Sequence, residues 1–333
     1  MMTRRVLVTG AGGFLGRHLV QQLLHQGYAV RALLRRPLTG AVGEPEYPTE
    51  VECVLGDICQ PATVAGAAEG CWGIIHAAAL AQVNPARNPA VWAVNHGGTE
   101  TVLQLARQVA VQRFVYVGTA NVFGFGTLAR PGDETCPFAG QRYGLDYMDS
   151  KRAAAELVTR AVREWQLPAV LVHPTFMLGP GDAKPTSNAL LLELLRGRVP
   201  GYPAGGKNYV HVQDVAVAAV NALTQGRVGE SYVLGHQNLS YRAAFRLIAE
   251  VLGVPAPRWP IPTPLARLYG AASQLKAQLT GRPGRLNPSM VAVAADGHYF
   301  DAAKARAELS LPQTPIAQAV AEAHDWFKAH RYV

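Results

Sequence analysis

Cysteine is scarce in this chain. Four residues in 333, Cys53, Cys59, Cys71 and Cys136, have neither the paired spacing of a metal site nor the density of a disulfide scaffold. A stapled extracellular module is thereby excluded, and a reducing compartment, the cytoplasm, is expected. Metal chemistry has no signature either: the ten histidines include no His-Glu-x-x-His or comparable local cluster, so no metal site is expected. No apolar run reaches the length that crosses a bilayer, and no membrane span is expected. A first strand beginning at Arg4 or Arg5 leaves no room for a charged-then-apolar signal segment. Charge is sparse, 16% against 49% hydrophobic residues, which disfavours a disordered chain and supplies ample material for a core. Acidic residues are the minority, 23 against 31 lysines and arginines, for a net charge of +8. A basic surface attracts phosphates, but these cations are dispersed along the chain, and no nucleic-acid partner is expected.

What the sequence does have is alternation. Val6-Leu7-Val8 ends in glycines and is followed by Leu15, Leu19, Val20, Leu23 and Leu24 at helical spacing, which reads as strand, tight turn and helix. Tyr28–Leu34 reads as a second strand and Pro37–Pro48 as a loop. Further strands are expected at Val51–Leu55, Gly73–His76, Arg113–Val117 and Ala169–His173, with helices near 62–69, 89–109 and 148–165. Strands alternating with helices imply an α/β fold, a Rossmann-type doubly wound parallel sheet with right-handed crossovers. Beyond Pro174, Gly179-Pro180-Gly181 and Pro185 break the chain before an apolar helix at Asn188–Leu195. Val212–Leu223 reads as helix, Ser231–Leu234 as strand, and helices follow near 241–252, 263–279 and 315–328. The expected organisation is a dinucleotide-binding domain over 1–178, to which 208–237 returns, and a smaller, mostly C-terminal substrate region from 179–207 and 238–333.

The first turn reads Thr9-Gly10-Ala11-Gly12-Gly13-Phe14-Leu15-Gly16. Gly10 permits the tight turn, Gly13 admits a pyrophosphate to the backbone, and Gly16 lets the helix lie close to the sheet. The unpaired N–H groups at the helix start, with the positive end of its dipole, stabilise an anion there. At the end of the second strand, Val30-Arg31-Ala32-Leu33-Leu34-Arg35-Arg36 lacks the acidic residue that accepts from an adenosine ribose 2′-hydroxyl. The cluster Arg31, Arg35 and Arg36 stands where a 2′-phosphate needs a cation. Arg35 is the candidate partner, with Arg36 as its alternate, and the expected cofactor is NADP(H), with NAD(H) second.

Tyr147 and Lys151 are four residues apart. On a helix they share one face, about 6 Å apart along the axis. A free tyrosine titrates near about 10, and a neighbouring cation is expected to lower the cost of exchanging its proton.

With these motifs the chain resembles the extended short-chain dehydrogenase/reductases, particularly the dihydroflavonol-reductase-like and hydroxysteroid-dehydrogenase-like branch. Further matching landmarks are Gly56-Asp57-Ile58, His76-Ala77-Ala78, Asn95 followed by Gly98-Thr99, Arg113 to Val117, and His211-Val212-Gln213-Asp214-Val215-Ala216. The stretch Gly179 to Thr186 is similar to bacterial proteins known as hopanoid-associated sugar epimerases. The resemblance implies that Tyr147 protonates a carbonyl oxygen, that Lys151 also holds the nicotinamide ribose, and that Thr119, where the family usually has serine, steadies the oxygen. Gly118 departs from the common paired-serine pattern. The cofactor is implied to rest on Gly10, Gly13, Phe14, Leu15 and Gly16, on Asp57 and Ile58 at adenine, on the strand-end segment Ala77, Ala78 and Ala79, and on Pro174 and Thr175 beside the nicotinamide. Asn95 would organise the catalytic helix or serve its start. Ala120 and Asn121 stand where sugar-nucleotide 4,6-dehydratases carry an acidic pair, which disfavours water elimination.

The activity this implies is NADPH-dependent, reversible reduction of an aldehyde or ketone. The alternative is a sugar-nucleotide epimerase using the same three residues, and a third reading is a non-catalytic NADP-sensing protein. Leu190–Leu195, Trp259, Pro260, Ile261, Leu265, Leu268 and Tyr269 read either as an apolar substrate wall or as helix core. His211 and Asp214 read as a cap and a structural contact. A homodimer is implied by resemblance alone.

Overall fold

The computed structural model describes residues 3–280 and 287–333; residues 281–286, inside the expected substrate region 238–333, lie outside the described residues. Val6, Leu7 and Val8 are fully buried, as an apolar run with parallel neighbours on both sides must be, and they form the centre of β1 (Arg5–Thr9). The remaining strands are β2 (Ala29–Leu34), β3 (Glu52–Leu55), β4 (Gly73–His76), β5 (Arg113–Val117), β6 (Ala169–Pro174), β7 (Phe176–Leu178), β8 (Gly206–His211), β9 (Ser231–Leu234), β10 (Gln237–Ser240) and β11 (Gly297–His298). The early helices are α1 (Phe14–His25), α2 (Pro61–Val64), α3 (Pro89–Trp92), α4 (Gly98–Gln108), α5 (Asp146–Trp165) and α6 (Ala189–Leu195). The later ones are α7 (Val212–Asn221), α8 (Tyr241–Leu252), α9 (Thr263–Thr280), α10 (Pro288–Ala295), α11 (Ala303–Leu309) and α12 (Ile316–Ala329).

Seven strands make one parallel sheet of Rossmann type in the order β3-β2-β1-β4-β5-β6-β9. Strand order reverses between β1 and β4, and the carboxyl ends of those strands open the crevice where such sheets take ligands. Successive strand residues face opposite ways. Val6, Val8, Ile75, Val115 and Val172 pack under α1 and α7, while Leu7, Ile74, Phe114, Tyr116 and Leu171 pack under α4 and α5.

A smaller mixed sheet is built on β8, with β10 antiparallel on one edge and β7 and β11 parallel on the other. Helices α6, α8 and α12 cover it through Leu191, Leu194, Phe245, Ile248 and Val320. The span 208–237 divides accordingly: β9 joins the large sheet and α7 packs on α1, whereas β8 belongs to the second sheet.

Two expected helices differ in form. The one at 62–69 is only the short α2, because Gly66 takes φ +80° and ends it. The one at 89–109 is interrupted by a π-turn over Ala93–Gly97, which turns Asn95 inward. β7, β8, β10, β11, α10 and α11 were not expected; Gly205, Gly206, Lys207 and Asn208 precede Tyr209 in or beside β8 and look like turn residues.

Candidate active site

The glycine turn is shaped by what lies against it. Gly10 has φ +71°, and a Cβ there would come within 2.7 Å of the Ala78 nitrogen. A Cβ on Gly16 would lie 2.0 Å from the Gly10 carbonyl oxygen, so α1 can approach the turn only without a side chain at this position. Gly13 is the N-cap of α1, with no capping side chain and no acidic residue in the first turn. The helix start therefore presents unpaired N–H donors with no carboxylate to repel a phosphate. A dinucleotide's pyrophosphate fits this cradle. Phe14 is half-buried, whereas the Leu15 side chain is buried in the core, leaving the backbone of Leu15 as its available contact.

At the adenosine end the three arginines separate. Arg31 is buried, pairs with Glu52 at 2.9 Å and donates to the carbonyls of Ala67 and Glu69. Its inclusion in the phosphate-binding cluster is corrected: alternation along β2 points it back into the fold. Arg36 is paired with Glu44 at 2.8 Å. Arg35 is exposed, and among the described residues no carboxylate lies within ion-pair distance of it. Asp57 is half-buried and accepts from the Cys59 amide at 2.9 Å. The Ile58 side chain is buried beneath Gly98, where a Cβ would meet it at 2.5 Å, so only its backbone faces outward. Ala77 and Ala78 line the turn beside Gly10, and Ala79 is exposed. Thr9 fastens this strand end: its hydroxyl lies 2.7 Å from His76 Nδ1 and accepts from the Ala78 amide.

Thr119, Tyr147 and Lys151 come together where β5 ends and α5 begins. The Thr119 hydroxyl lies near enough to the Tyr147 phenol to bear on its titration, and it accepts from the Asn121 amide at 3.4 Å. Lys151 is buried, donates to the Val117 carbonyl at 2.7 Å and stands 4.7 Å above the Tyr116 ring. Asn95 donates to Ser150 Oγ at 3.1 Å, and its amide both accepts from and donates to the backbone of Leu80. Ser150 Oγ in turn donates to the Tyr147 carbonyl. Asn95 thus ties α5 to the cofactor-side loop, through a side chain on α5 as well as through backbone.

One electrostatic expectation is overturned. Burial holds the Tyr147 phenol above its ordinary value, and the nearby Thr119 hydroxyl only partly opposes this, so the net shift is upward with Lys151 one turn away. Burial also pulls the Lys151 ammonium down to about 7, so near neutral pH its charge is only partial. Desolvation penalises the charged form of both groups. Tyr147 accordingly stays protonated at neutral pH, the form required of a donor.

The unusual Gly118 has a physical reason. A Cβ there would lie 2.4 Å from Nδ1 of His173, a fully buried ring in edge contact with Phe123. Serine cannot occupy 118 while histidine occupies 173.

Several site residues had no sequence signal. Asn121 Oδ1 lies 3.1 Å from His298 Nδ1, His298 Nε2 lies 3.3 Å from the Tyr143 hydroxyl, and that hydroxyl donates to Asp296 at 2.5 Å. Phe125 stacks on His298 at 4.1 Å. Burial takes His298 down to about 2, so this ring is neutral and links polar groups without adding charge. Next to it, Asn121, Thr175, Phe176, Lys207, Asn208 and His298 line a cavity of about 40 Å³. Thr175 donates to Asn208 at 2.8 Å, and buried Pro174 ends β6 above it. Lys207 lies 5.1 Å from the Phe176 ring centre, and burial lowers it to about 8. Positions 207 and 298 meet through the β8–β11 pairing, and Asn121 reaches them from the turn after β5; no local pattern encodes this meeting.

The helix-core reading holds for the leucines of α6 and not for the later residues. Leu191, Leu192 and Leu194 are buried, Leu191 and Leu194 in the core beneath the second sheet, while Trp259, Leu265, Leu268 and Tyr269 are exposed. His211 accepts from the Gln213 amide and contacts Glu322, and Asp214 accepts from Thr314; both are structural contacts. Among the described residues no group of acidic, histidine and cysteine side chains could hold a metal ion, and no helix is long and apolar enough to cross a membrane.

The model of the NAD dependent epimerase/dehydratase family matches residues 6–235. A Synechocystis sp. protein provisionally named dihydroflavonol 4-reductase is 32% identical, over 98% of this chain and 95% of that one. A Mycobacterium tuberculosis 3 beta-hydroxysteroid dehydrogenase/Delta 5→4-isomerase is 30% identical over 96% of this chain and 89% of its own. Among solved structures, a nucleoside-diphosphate-sugar epimerase from Pseudomonas aeruginosa is similar with a TM-score of 0.79 and 26% identity, covering 99% of both chains.

Proposed function

Because the chain belongs to the NAD dependent epimerase/dehydratase family, we propose that it reduces an aldehyde or ketone to an alcohol with NADPH, Tyr147 supplying the proton. The observation that carries this reading is the Tyr147 phenol, partly buried beside Thr119 and protonated at neutral pH. Reduction needs a proton donor, whereas alcohol oxidation, the first half of epimerisation, needs a base.

The nicotinamide ring, when bound, supplies the hydride. Gly10, Gly13 and Gly16, with the amides of Phe14 and Leu15, hold the pyrophosphate; Asp57, Ile58 and the segment Ala77 to Ala79 border the adenosine half; Pro174 and Thr175 border the nicotinamide. Lys151 fixes the ribose. Thr119 donates to the carbonyl oxygen as negative charge develops on it, and Tyr147 transfers its proton to the same atom. The large-sheet residues within 1–178 form the cofactor half, and the second sheet with α8 to α10 forms the substrate half.

Arg35 is the basis for preferring NADPH. It is exposed at the carboxyl end of β2 without an acidic partner, while Arg36 is occupied by Glu44. One observation favours epimerisation instead. Lys207, a cation on the cavity beside Asn121, suits the diphosphate of a nucleotide sugar. The intact Tyr147 and Lys151 speak against a sensor without catalysis.

The test follows cofactor absorbance with aldehydes, bulky ketones and nucleotide sugars, identifying products in the same wells. Stoichiometric NADPH loss with alcohol formation is expected; isomer formation without NADPH loss would replace the reductase reading by the epimerase one. In the same assay, Arg35→Glu is expected to weaken NADPH binding roughly tenfold to hundredfold and NADH binding little, the loss of one charge-assisted contact. Equal losses would remove Arg35 from the 2′-phosphate.

A further inference from the structure

Helix α9 is built inside out. Its inward stripe, Thr263, Ala266, Gly270 and Ser273, is made of small residues, and Gly270 brings it so close to α10 that an added Cβ would meet Val291 at 3.2 Å. Three large apolar residues of its first two turns point the other way: Leu265 is 60% exposed, Leu268 68% and Tyr269 52%. Just before the helix, Trp259 is 74% exposed. Scattered apolar side chains on a surface need no explanation, but a stripe at helical spacing beside a tryptophan does.

The charge of this segment is one-sided. From Val251 to Ala295 the sequence contains no aspartate or glutamate, while it carries Arg258, Arg267, Lys276, Arg282 and Arg285. Arg258 and Arg267 are exposed next to the apolar stripe. A large apolar face flanked by arginines and an interfacial tryptophan, on a segment free of acids, has the composition of an element that lies in the headgroup layer of an anionic bilayer. A second copy of the chain fits less well. A two-fold contact through this face would gather both copies' Arg258 and Arg267 into one interface with no carboxylate from the segment to neutralise them.

We propose that the outer face of α9, together with Trp259, docks on an anionic lipid surface. The placement also serves the active site, because α10 packs on α9, and its Ala292 and Val293 pack against the same cluster as Tyr147. A docked chain would receive an apolar substrate from the lipid side without any segment crossing the bilayer.

The experiment is co-sedimentation of the full chain with phosphatidylcholine vesicles, with and without phosphatidylglycerol. Wild-type protein is expected to bind the phosphatidylglycerol vesicles at least about tenfold more strongly than pure phosphatidylcholine, and to lose most of that preference at high salt. The combined variant Trp259→Ser, Leu265→Ser, Leu268→Ser is expected to lose about tenfold or more in vesicle affinity by removing buried apolar area, with an unchanged unfolding midpoint, since all three side chains are exposed. Arg258→Gln with Arg267→Gln should abolish the lipid-charge preference and leave folding intact. Equal binding of wild type and the serine variant, or no binding to either vesicle, would overturn the proposal. So would sedimentation of wild-type protein as a dimer that the serine variant splits into monomers, which would assign the face to a second copy.

Discussion

Tyr147→Phe lowers carbonyl turnover by about a hundredfold to ten-thousandfold, the range attached to losing a positioned proton donor, while NADPH still binds. The phenol lies beside Thr119 at the end of β5, and phenylalanine keeps the ring that packs beside Tyr143 and Met148. A fall of that size is roughly 3–5 kcal/mol of barrier. Stability should change little, because the lost hydroxyl is replaced by nothing larger. The measurement is kcat for an accepted carbonyl compound alongside NADPH binding by fluorescence. Turnover within a few-fold of wild type would show that the proton comes from elsewhere.

Lys151→Met separates function from stability. Lys151 is buried and its ammonium is pulled down to about 7 by desolvation alone, so below that pH the folded protein bears a charge it would bury more cheaply as a methionine. The variant is expected to lose roughly a hundredfold or more in kcat/KM if Lys151 orients the ribose as proposed, yet to be more stable near pH 6, where wild type must bury the charged ammonium. The sign follows from proton binding. Between about pH 7 and the ordinary lysine value the unfolded chain holds a proton that the folded chain has released, so wild-type stability rises with pH across that window. The stability gap between variant and wild type should therefore be widest below pH 7 and close as pH rises toward about 10. Urea unfolding at several pH values, paired with kinetics, checks both halves. A variant destabilised at pH 6 would mean that the bond to the Val117 carbonyl outweighs the cost of burying the charge.

The parts of the fold that were legible from sequence are those with local signals. Val6-Leu7-Val8 and the glycines after it announce strand, turn and helix within a dozen residues, and Tyr147 and Lys151 share a face by helical period alone. The small sheet was not legible, because β8 pairs with β7, β10 and β11 across long separations and carries Lys207 and Asn208 among its residues. For the same reason the link from Asn121 through His298 to Tyr143 had no signature. The inward turn of Arg31 has no sequence signal, because a run of basic residues does not tell which alternate side chains of β2 face inward; burial and Glu52 decide it. The tyrosine's electrostatics are not legible in the sequence for a related reason. Spacing brings a lysine near, but desolvation, which depends on how the whole site is covered, dominates both groups. Gly118 was legible as a departure from pattern; its cause, the ring of His173, lies on β6.

The most direct test of hydride delivery with a Tyr147 proton uses NADPH deuterated at its transferable position, an accepted carbonyl compound and mass analysis of the product. Each cofactor oxidised should leave one deuterium on the new carbinol carbon, and the rate should collapse in Tyr147→Phe. An isomerised product with the cofactor unconsumed, or an alcohol without label, would contradict the account.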